Sequence, residues 1–124
     1  MYVVEVNSEF NSAHNLKGYK GKCEDLHGHN WKVKVSVRSD VLDKVGMVVD
    51  FKILKACLNN VIDKLDHKYL NELEYFKKIN PTSENIARYI YESMSEDVDS
   101  PDVESVTVWE TDSASATYSL KVIS

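Results

Sequence analysis

The sequence predicts an α+β fold in which a four-stranded antiparallel sheet carries two helices on one face. Near both ends of the chain, apolar residues alternate with polar ones, which is strand spacing. Two central segments instead repeat apolar residues at helical spacing. Short polar turns join the strands within each half, so the order β, β, α, α, β, β makes each strand pair antiparallel.

Length and composition limit the classes of protein to consider. With 124 residues, 43% of them hydrophobic, the chain is expected to form a single domain over residues 1–124. The net charge of −5 argues against a nucleic-acid partner. No apolar run approaches the roughly 18 residues of a membrane span, so no membrane partner is expected. Two cysteines and an N-terminus without a signal-peptide pattern predict a cytoplasmic protein with reduced thiols.

The first two strands are predicted from period-two alternation. In the first fourteen residues, Val4, Val6 and Phe10 share one phase. Residues 15–26 have no periodicity and are predicted to form a loop. The second strand is the clearest in the chain, because its apolar residues occupy every other position: Trp31, Val33, Val35 and Val37. A turn follows near Gly46.

Both helices begin at residues that cap helix N-termini. Asp50 is placed to cap a helix that starts near Phe51 and runs to about Leu65. Its apolar stripe includes or adjoins Cys57, which is therefore interpreted as a packing residue. After an irregular stretch over 66–81, Thr82 or Ser83 opens the second helix, which ends near residue 96.

The C-terminal strand pair contains an unusual carboxylate. Strands are predicted over about 103–110 and 116–122, joined by a turn at Asp112 and Ser113. Glu110 shares the phase of Val106 and Val108 and so points toward the apolar side. Because an unpaired buried carboxylate is costly, it needs either a Lys or Arg partner or a ligand that donates hydrogen bonds to it.

Three of the four histidines are candidate metal ligands. In an extended segment, His27 and His29 leave the same face, which is also the face of Trp31. His14 is in phase with Phe10, so three imidazoles point inward from two neighbouring strands. This is the ligand set of a catalytic zinc site with one open position. Two other interpretations stay open: histidines with ordinary hydrogen bonds, and a closed structural site with Cys23 as fourth ligand.

Two further segments carry groups with acid–base or charge chemistry. Asp66 next to His67, just past the first helix, would raise the imidazole pKa and orient its ring, as a general acid requires. The alternative is a histidine that interacts with the helix dipole. The loop before Cys23 carries lysines that would meet an anionic substrate or stay solvated: Lys17, Lys20 and Lys22. Lys22 would also lower the pKa of the Cys23 thiol.

Six motifs occur in order and together resemble the 6-pyruvoyltetrahydropterin synthase / 6-carboxytetrahydropterin synthase family over nearly the whole chain. They are Phe10-Asn-Ser-Ala-His14-Asn-Leu16, Cys23-Glu-Asp-Leu-His27-Gly-His29, Asp50-Phe51-x-x-Leu54-Lys55, Leu65-Asp66-His67-x-x-Leu70-Asn71, Asn80-Pro-Thr-Ser-Glu-Asn85 and Trp109-Glu110-Thr111. The resemblance implies a tunnelling fold in which three sheets close into a barrel. Two such trimers would stack into a homohexamer with active sites between subunits.

The resemblance also implies an activity and a role for each site residue. The reaction would convert 7,8-dihydroneopterin triphosphate and water into 6-carboxytetrahydropterin, acetaldehyde and triphosphate. By similarity, the zinc (Zn²⁺) ligands are His14, His27 and His29. Cys23 would be the base, His67 oriented by Asp66 would transfer protons, and Glu110 would anchor the pterin. Thr82 and Ser83 resemble residues that line the pterin pocket, and the neighbouring subunit is expected to supply Asp66 and His67.

The spacing from Cys23 to His27 distinguishes branches of the family. Three residues separate them here, which resembles the bacterial 6-carboxytetrahydropterin synthases of queuosine biosynthesis. The pyruvoyl-forming enzymes typically have a longer spacing, and the branch that forms 6-hydroxymethyldihydropterin typically has Glu at the cysteine position. Both branches remain alternatives, as does a non-catalytic zinc module in which Cys23 is a ligand.

Overall fold

The computed structural model of the chain describes residues 1–20 and 24–120, and it confirms the α+β fold. Its elements follow in the predicted order: β1 (Tyr2–His14), β2 (His27–Ser39), α1 (Phe51–Leu65), α2 (Ser83–Ser95), β3 (Ser105–Thr111) and β4 (Ala114–Tyr118). The strands form one antiparallel sheet in the order β1-β2-β3-β4. The interpretations of Lys22 and Cys23, and the predicted strand end at Val122, fall outside the described residues.

The register of β1 and β2 produces the core layer of the sheet. Phe10 lies opposite Trp31, and His14 lies opposite His27. The Phe10 and Trp31 rings stack with their centroids 5.9 Å apart, and both side chains are buried. Full burial of a large apolar side chain stabilises the fold by roughly 1.5–3 kcal/mol. The inward phase predicted for this face is confirmed, and it also directs the histidines inward.

The two helices pack on that inner face. Asp50 Oδ1 accepts a hydrogen bond from the backbone N–H of Lys52 (2.8 Å), which confirms the predicted cap of α1. Thr82 caps α2 in the same way, through the N–H of Asn85. Helix α1 packs against β1, α2 packs against β3 and β4, and the helices touch each other. Cys57 is buried, as predicted.

The boundaries differ from the prediction mainly in the C-terminal hairpin. Strand β4 begins at Ala114, two residues earlier than predicted, because a tight turn at Asp112 and Ser113 is followed directly by pairing. A register shift between Trp109 and Thr111 adjusts the two strands to each other. The irregular stretch after α1 contains two short 3₁₀ turns, Leu70–Glu72 and Glu74–Phe76. None of the helices in the described residues is long and apolar enough to cross a membrane.

Candidate active site

Three histidines and one glutamate converge where β1 ends and β2 begins. The Nε2 atoms of His14 and His27 lie 3.0 Å apart. Glu110 Oε1 lies 3.1 Å from Nε2 of His14 and 2.9 Å from Nε2 of His29. One ligand atom from each of the four side chains falls within 4.8 Å of all the others. The structure therefore brings the three predicted metal ligands together and adds Glu110 to them.

The hydrogen bonds of the imidazoles indicate what this group binds. Nδ1 of His14 lies 2.8 Å from the carbonyl oxygen of Pro81, and Nδ1 of His27 lies 2.9 Å from that of Asp25. Because a carbonyl only accepts hydrogen bonds, Nδ1 is the donor in each of these contacts, and in a neutral imidazole Nε2 then presents a lone pair. With both rings neutral, two lone pairs face each other at 3.0 Å beside the Glu110 carboxylate, an arrangement that a bound cation would stabilise. The donor set fits a divalent metal ion.

His29 supports the same conclusion. Its Nε2 is buried and has no hydrogen-bond partner among the described residues, because the contact with Glu110 lacks hydrogen-bond geometry. Burial is the largest cause that lowers the pKa of His29, and Glu110 only partly opposes it. A lowered pKa favours the neutral imidazole, which is the form that binds metal. A buried Nε2 without a hydrogen-bond partner, in a ring that favours the neutral form, fits the role of a metal ligand.

Glu110 projects into this group from β3 and is 35% exposed. Among the described residues no Lys or Arg pairs with it, so its partners are the histidines. Of the two sequence interpretations, the Lys or Arg pair is therefore absent from the described part of the chain. The carboxylate is left to act either on a bound ligand or as a fourth metal ligand.

Asp66 and His67 form a pair away from the histidine group. Nδ1 of His67 lies 3.0 Å from Asp66 Oδ2, while Oδ1 of Asp66 accepts from the backbone N–H of Asn11 at 2.9 Å. Helix α1 ends at Leu65, and His67 has a left-handed backbone with φ 56°. Its side chain is 79% exposed and is not among the four converging residues. Within one chain, the structure does not bring this pair to the metal ligands.

Thr82 and Ser83 directly follow a residue that contacts His14. Pro81, whose carbonyl accepts from His14, directly precedes Thr82. The Thr82 hydroxyl caps α2 by accepting from the N–H of Asn85 (3.1 Å), and both Thr82 and Ser83 are half-buried. The capped helix start therefore borders the histidine group. Of the lysines in the loop before Cys23, the described Lys17 and Lys20 are exposed.

Comparison with known proteins agrees with this arrangement. The family model for 6-pyruvoyl tetrahydropterin synthase matches residues 3–121. The chain belongs to this family.

The relatives of this pterin synthase family member carry two different names. This chain is 39% identical to the 6-carboxy-5,6,7,8-tetrahydropterin synthase of Synechocystis sp., and the match covers 95% of this chain and 93% of the relative. It is 34% identical to the 6-pyruvoyl tetrahydrobiopterin synthase of Poecilia reticulata, covering 94% and 88%. The structure of Caenorhabditis elegans 6-pyruvoyl tetrahydropterin synthase matches with a TM-score of 0.85 and 32% identity, covering 97% of this chain and 96% of that one.

Sequence reasoning assigned no role to several polar groups that hold the site of this pterin synthase family member together. The Pro81 carbonyl fixes His14, and asparagines at positions 15, 71 and 80 bind the backbone around it. Asn71 and Asn80 do occur in the motifs that carry the resemblance. That occurrence is the only signal in the sequence that points to them.

Proposed function

We propose that this protein is a 6-carboxy-5,6,7,8-tetrahydropterin synthase, a carbon–carbon lyase of queuosine (preQ0) biosynthesis. It would convert 7,8-dihydroneopterin 3'-triphosphate and water into 6-carboxytetrahydropterin, acetaldehyde and triphosphate. The observation that carries the proposal is the convergence of three Nε2 atoms and the Glu110 carboxylate, in a chain 39% identical to a relative of that name. The short spacing from Cys23 to His27 favours this branch. A cytoplasmic location is part of the proposal.

His14, His27 and His29 are proposed as the ligands of a zinc ion. The Nδ1 partners of His14 and His27 support this, because hydrogen bonds to the Pro81 and Asp25 carbonyls fix the orientations of these two rings. When bound, zinc would supply a Lewis acid that acidifies the side-chain hydroxyls of the substrate and stabilises developing negative charge. Imidazole ligands also suit other transition metals, and availability favours zinc.

Glu110 is proposed to anchor the pterin ring. A carboxylate accepts two parallel hydrogen bonds from a ring N–H and an adjacent amino group, which sets both the position and the orientation of a flat heterocycle. Thr82 and Ser83 would line the same pocket from the start of α2. The alternative role for Glu110, a fourth metal ligand, is motivated by its 2.9 Å contact with His29.

The variant Glu110→Gln separates these two roles. If Glu110 anchors the pterin, the variant keeps one zinc per chain and loses affinity for the pterin, because the amide presents one acceptor where the carboxylate presented two. If Glu110 is instead a fourth metal ligand, the same variant loses affinity for zinc. Zinc content and pterin binding, measured on the same preparation, decide between the two outcomes.

Cys23 and the Asp66–His67 pair are proposed to move protons. Cys23, as the thiolate, would remove a side-chain proton of the substrate. The Asp66 carboxylate holds the Nδ1–H side of His67 at 3.0 Å, which leaves Nε2 of His67 to exchange protons with the substrate. Because the His67 side chain is exposed and is not among the four converging residues of its own chain, we propose that this pair serves the site of a neighbouring subunit.

A homohexamer built as a dimer of trimers is the proposed assembly. Within the described residues, β1 and β4 are the two edges of the sheet. Joining such edges between copies would close the sheets into a barrel and would leave no strand edge open. This assembly is also what would bring Asp66 and His67 of one copy close to the histidine group of another.

The test is a product assay on metal-quantified protein supplied with 7,8-dihydroneopterin triphosphate. We expect acetaldehyde and 6-carboxytetrahydropterin from the wild type. Cys23→Ala should be inactive and still carry one zinc per chain. Cys57→Ala is the matched control, because it removes the other cysteine, and it should stay active.

Other outcomes select the other hypotheses. Formation of 6-pyruvoyltetrahydropterin would favour the activity named for the Poecilia and Caenorhabditis proteins. A hydroxymethyl product would indicate the third branch. No turnover, together with loss of zinc and of the fold in Cys23→Ala, would mean a structural zinc module and would overturn the enzyme hypothesis.

A further inference from the structure

The outer edge of β1 is closed, near the histidine group, by a ladder built partly from side chains. Alternate residues from 11 to 17 donate their backbone N–H groups outward to the segment 66–80. In chain order, Asn11, Ala13, Asn15 and Lys17 donate to Asp66 Oδ1 (2.9 Å), Lys68 O (3.0 Å), Asn71 Oδ1 (3.0 Å) and Asn80 Oδ1 (2.8 Å). The period of two is that of a strand edge paired to a neighbour.

At Asn15 and Lys17, two asparagine side chains replace that neighbour completely. Besides accepting from Asn15, Asn71 donates through Nδ2 to the Asn15 carbonyl (2.8 Å). Asn80 does the same for Lys17, donating to its carbonyl at 2.9 Å. Each carboxamide thus reproduces the pair of hydrogen bonds that a backbone partner would make. The backbone carbonyl of Asn80 is in turn held by Nδ2 of Asn85 in α2 (2.8 Å).

We call Asn71 and Asn80 the asparagine clamp and residues 15–17 the clamped segment. The clamped segment also contacts the part of the chain that leads to His27. On its other side, the N–H of Glu24 donates to the Leu16 carbonyl (2.9 Å), and Asn15 Nδ2 donates to the Glu24 carbonyl (3.0 Å). The N–H of Leu16 donates to Glu24 Oε1 (3.3 Å). Residues 15–17 therefore lie between the asparagine clamp and Glu24. His14 immediately precedes this segment, and His27 follows Glu24 by three residues.

We propose that Asn71 and Asn80 are positioning residues that set the geometry of the metal centre. By fixing both backbone groups of Asn15 and of Lys17, they hold residues 15–17 in register with Glu24. That register fixes where His14 and His27 emerge relative to each other. The inference rests on the proposed metal site. Neither asparagine belongs to the group of four converging side chains.

Aspartate substitutions provide the sharpest variants. Asn71→Asp and Asn80→Asp keep size and shape and keep the acceptor for the N–H. Each loses the donor to the carbonyl and places a negative charge against it. Asn60→Asp, at an exposed position on α1, is the matched control. Cobalt(II) is the probe, because its visible absorption reports ligand geometry independently of turnover.

We expect both clamp variants to bind Co²⁺ about 10–100-fold more weakly than wild type, with altered visible bands. Asn60→Asp should match the wild type in Kd and spectrum. Circular dichroism and the Tm of the metal-free proteins show whether each variant folds. A folded clamp variant with the wild-type Kd and spectrum would overturn the proposal. Asn80, which is less buried than Asn71, decides the question if Asn71→Asp does not fold.

Hydrogen exchange on the wild type gives a test that needs no variant. The amides of Asn15 and Lys17 should be protected relative to the amide of Lys44, an exposed loop residue whose N–H makes no backbone hydrogen bond within the described residues. Equal exchange at the three positions would refute the ladder itself. A wild type that binds no Co²⁺ would overturn the proposed metal site and with it the positioning role. If the wild type binds Co²⁺ and the folded Asn71→Asp and Asn80→Asp variants bind it with the same Kd and spectrum, only the positioning role of the asparagines is overturned.

Discussion

Of the two cysteines of this chain, Cys57 lies within the described residues. Cys57 is buried on α1, and burial is the largest cause that raises the pKa of its thiol, with Asp97 and Asp99 acting in the same direction. Because the thiolate is the reactive form, a raised pKa makes a cysteine inert. Cys57 therefore contributes to packing, and the chemistry proposed for a thiol is assigned to Cys23.

Thiol labelling tests this difference. In the Cys23→Ala variant, where Cys57 is the remaining thiol, we expect labelling by a disulfide reagent at neutral pH to be slower than that of free cysteine by on the order of tenfold or more. Unfolding in denaturant should restore the ordinary rate, which serves as the internal control. Labelling of the folded variant at the rate of free cysteine would contradict the burial argument.

Asp66 makes stability depend on pH on the acid side. The hydrogen bond from the Asn11 N–H is the largest cause that lowers the pKa of Asp66 below its ordinary value of 3.8, and His67 lowers it further. The unfolded chain therefore takes up a proton near that pH while the folded chain keeps the carboxylate ionised. The stabilisation is complete above that pH and is lost as the pH falls through the folded-state pKa.

The variant Asp66→Asn should flatten this part of the stability curve. We expect the fall in the free energy of unfolding between about pH 5 and about pH 3 to be smaller than in the wild type. Denaturant unfolding at a series of pH values measures it. Asp63→Asn removes an exposed carboxylate on α1 and is the control. Identical pH dependence in Asp66→Asn and wild type would show that the Asn11 contact does not act on Asp66.

Some site residues were predictable because the period of a strand reveals where a side chain points. His14, His27 and His29 share the phase of Phe10 and Trp31, and the structure places all three together. The Pro81 carbonyl was not predictable. It meets His14 across 67 positions of the sequence, and a backbone group carries no residue signature. The asparagine clamp was missed for a similar reason, since it joins two irregular segments that have no period.

At the scale of elements, capping decided where α1 begins. Asp50 predicted a start near Phe51 and the apolar pattern an end at about Leu65, and the structure has the helix at Phe51–Leu65. The bounds of β4 were less predictable, because the hairpin turn and the register shift after Trp109 depend on pairing with β3 rather than on the local sequence. The left-handed His67 also depends on tertiary contacts, since its N–H donates to the Asn11 carbonyl (2.6 Å).

The cap of α1 can be measured directly. Replacing Asp50 with alanine removes the acceptor for the Lys52 N–H. We expect Asp50→Ala to lower the free energy of unfolding by about 1 kcal/mol, measured by urea denaturation. Asp50→Asn keeps a capping oxygen and should stay close to the wild type. Equal midpoints for Asp50→Ala and wild type would mean that another group satisfies the helix end.

At the scale of the whole molecule, the two edges of the sheet differ in how much of each is open. The end of β1 and the residue after it, 11–15 together, are closed by the segment 66–71. For residues 2–9, no outward backbone hydrogen bond occurs within the described part of the chain. Because Asn11 and Ala13 direct their N–H groups outward, the other odd-numbered residues of β1 do so too, and the even-numbered ones pair with β2.

This parity yields a selective test of the proposed hexamer. Asn7→Pro removes an outward N–H while leaving the even-numbered positions that pair with β2. We expect the wild type to have the mass of six 14.2-kDa chains, about 85 kDa, by light scattering, and Asn7→Pro to shift to smaller species. Asn7→Ala is the matched control, since it changes the side chain and keeps the N–H. A hexameric Asn7→Pro protein would show that subunits do not join through this stretch of β1, and a monomeric wild type would overturn the proposed assembly.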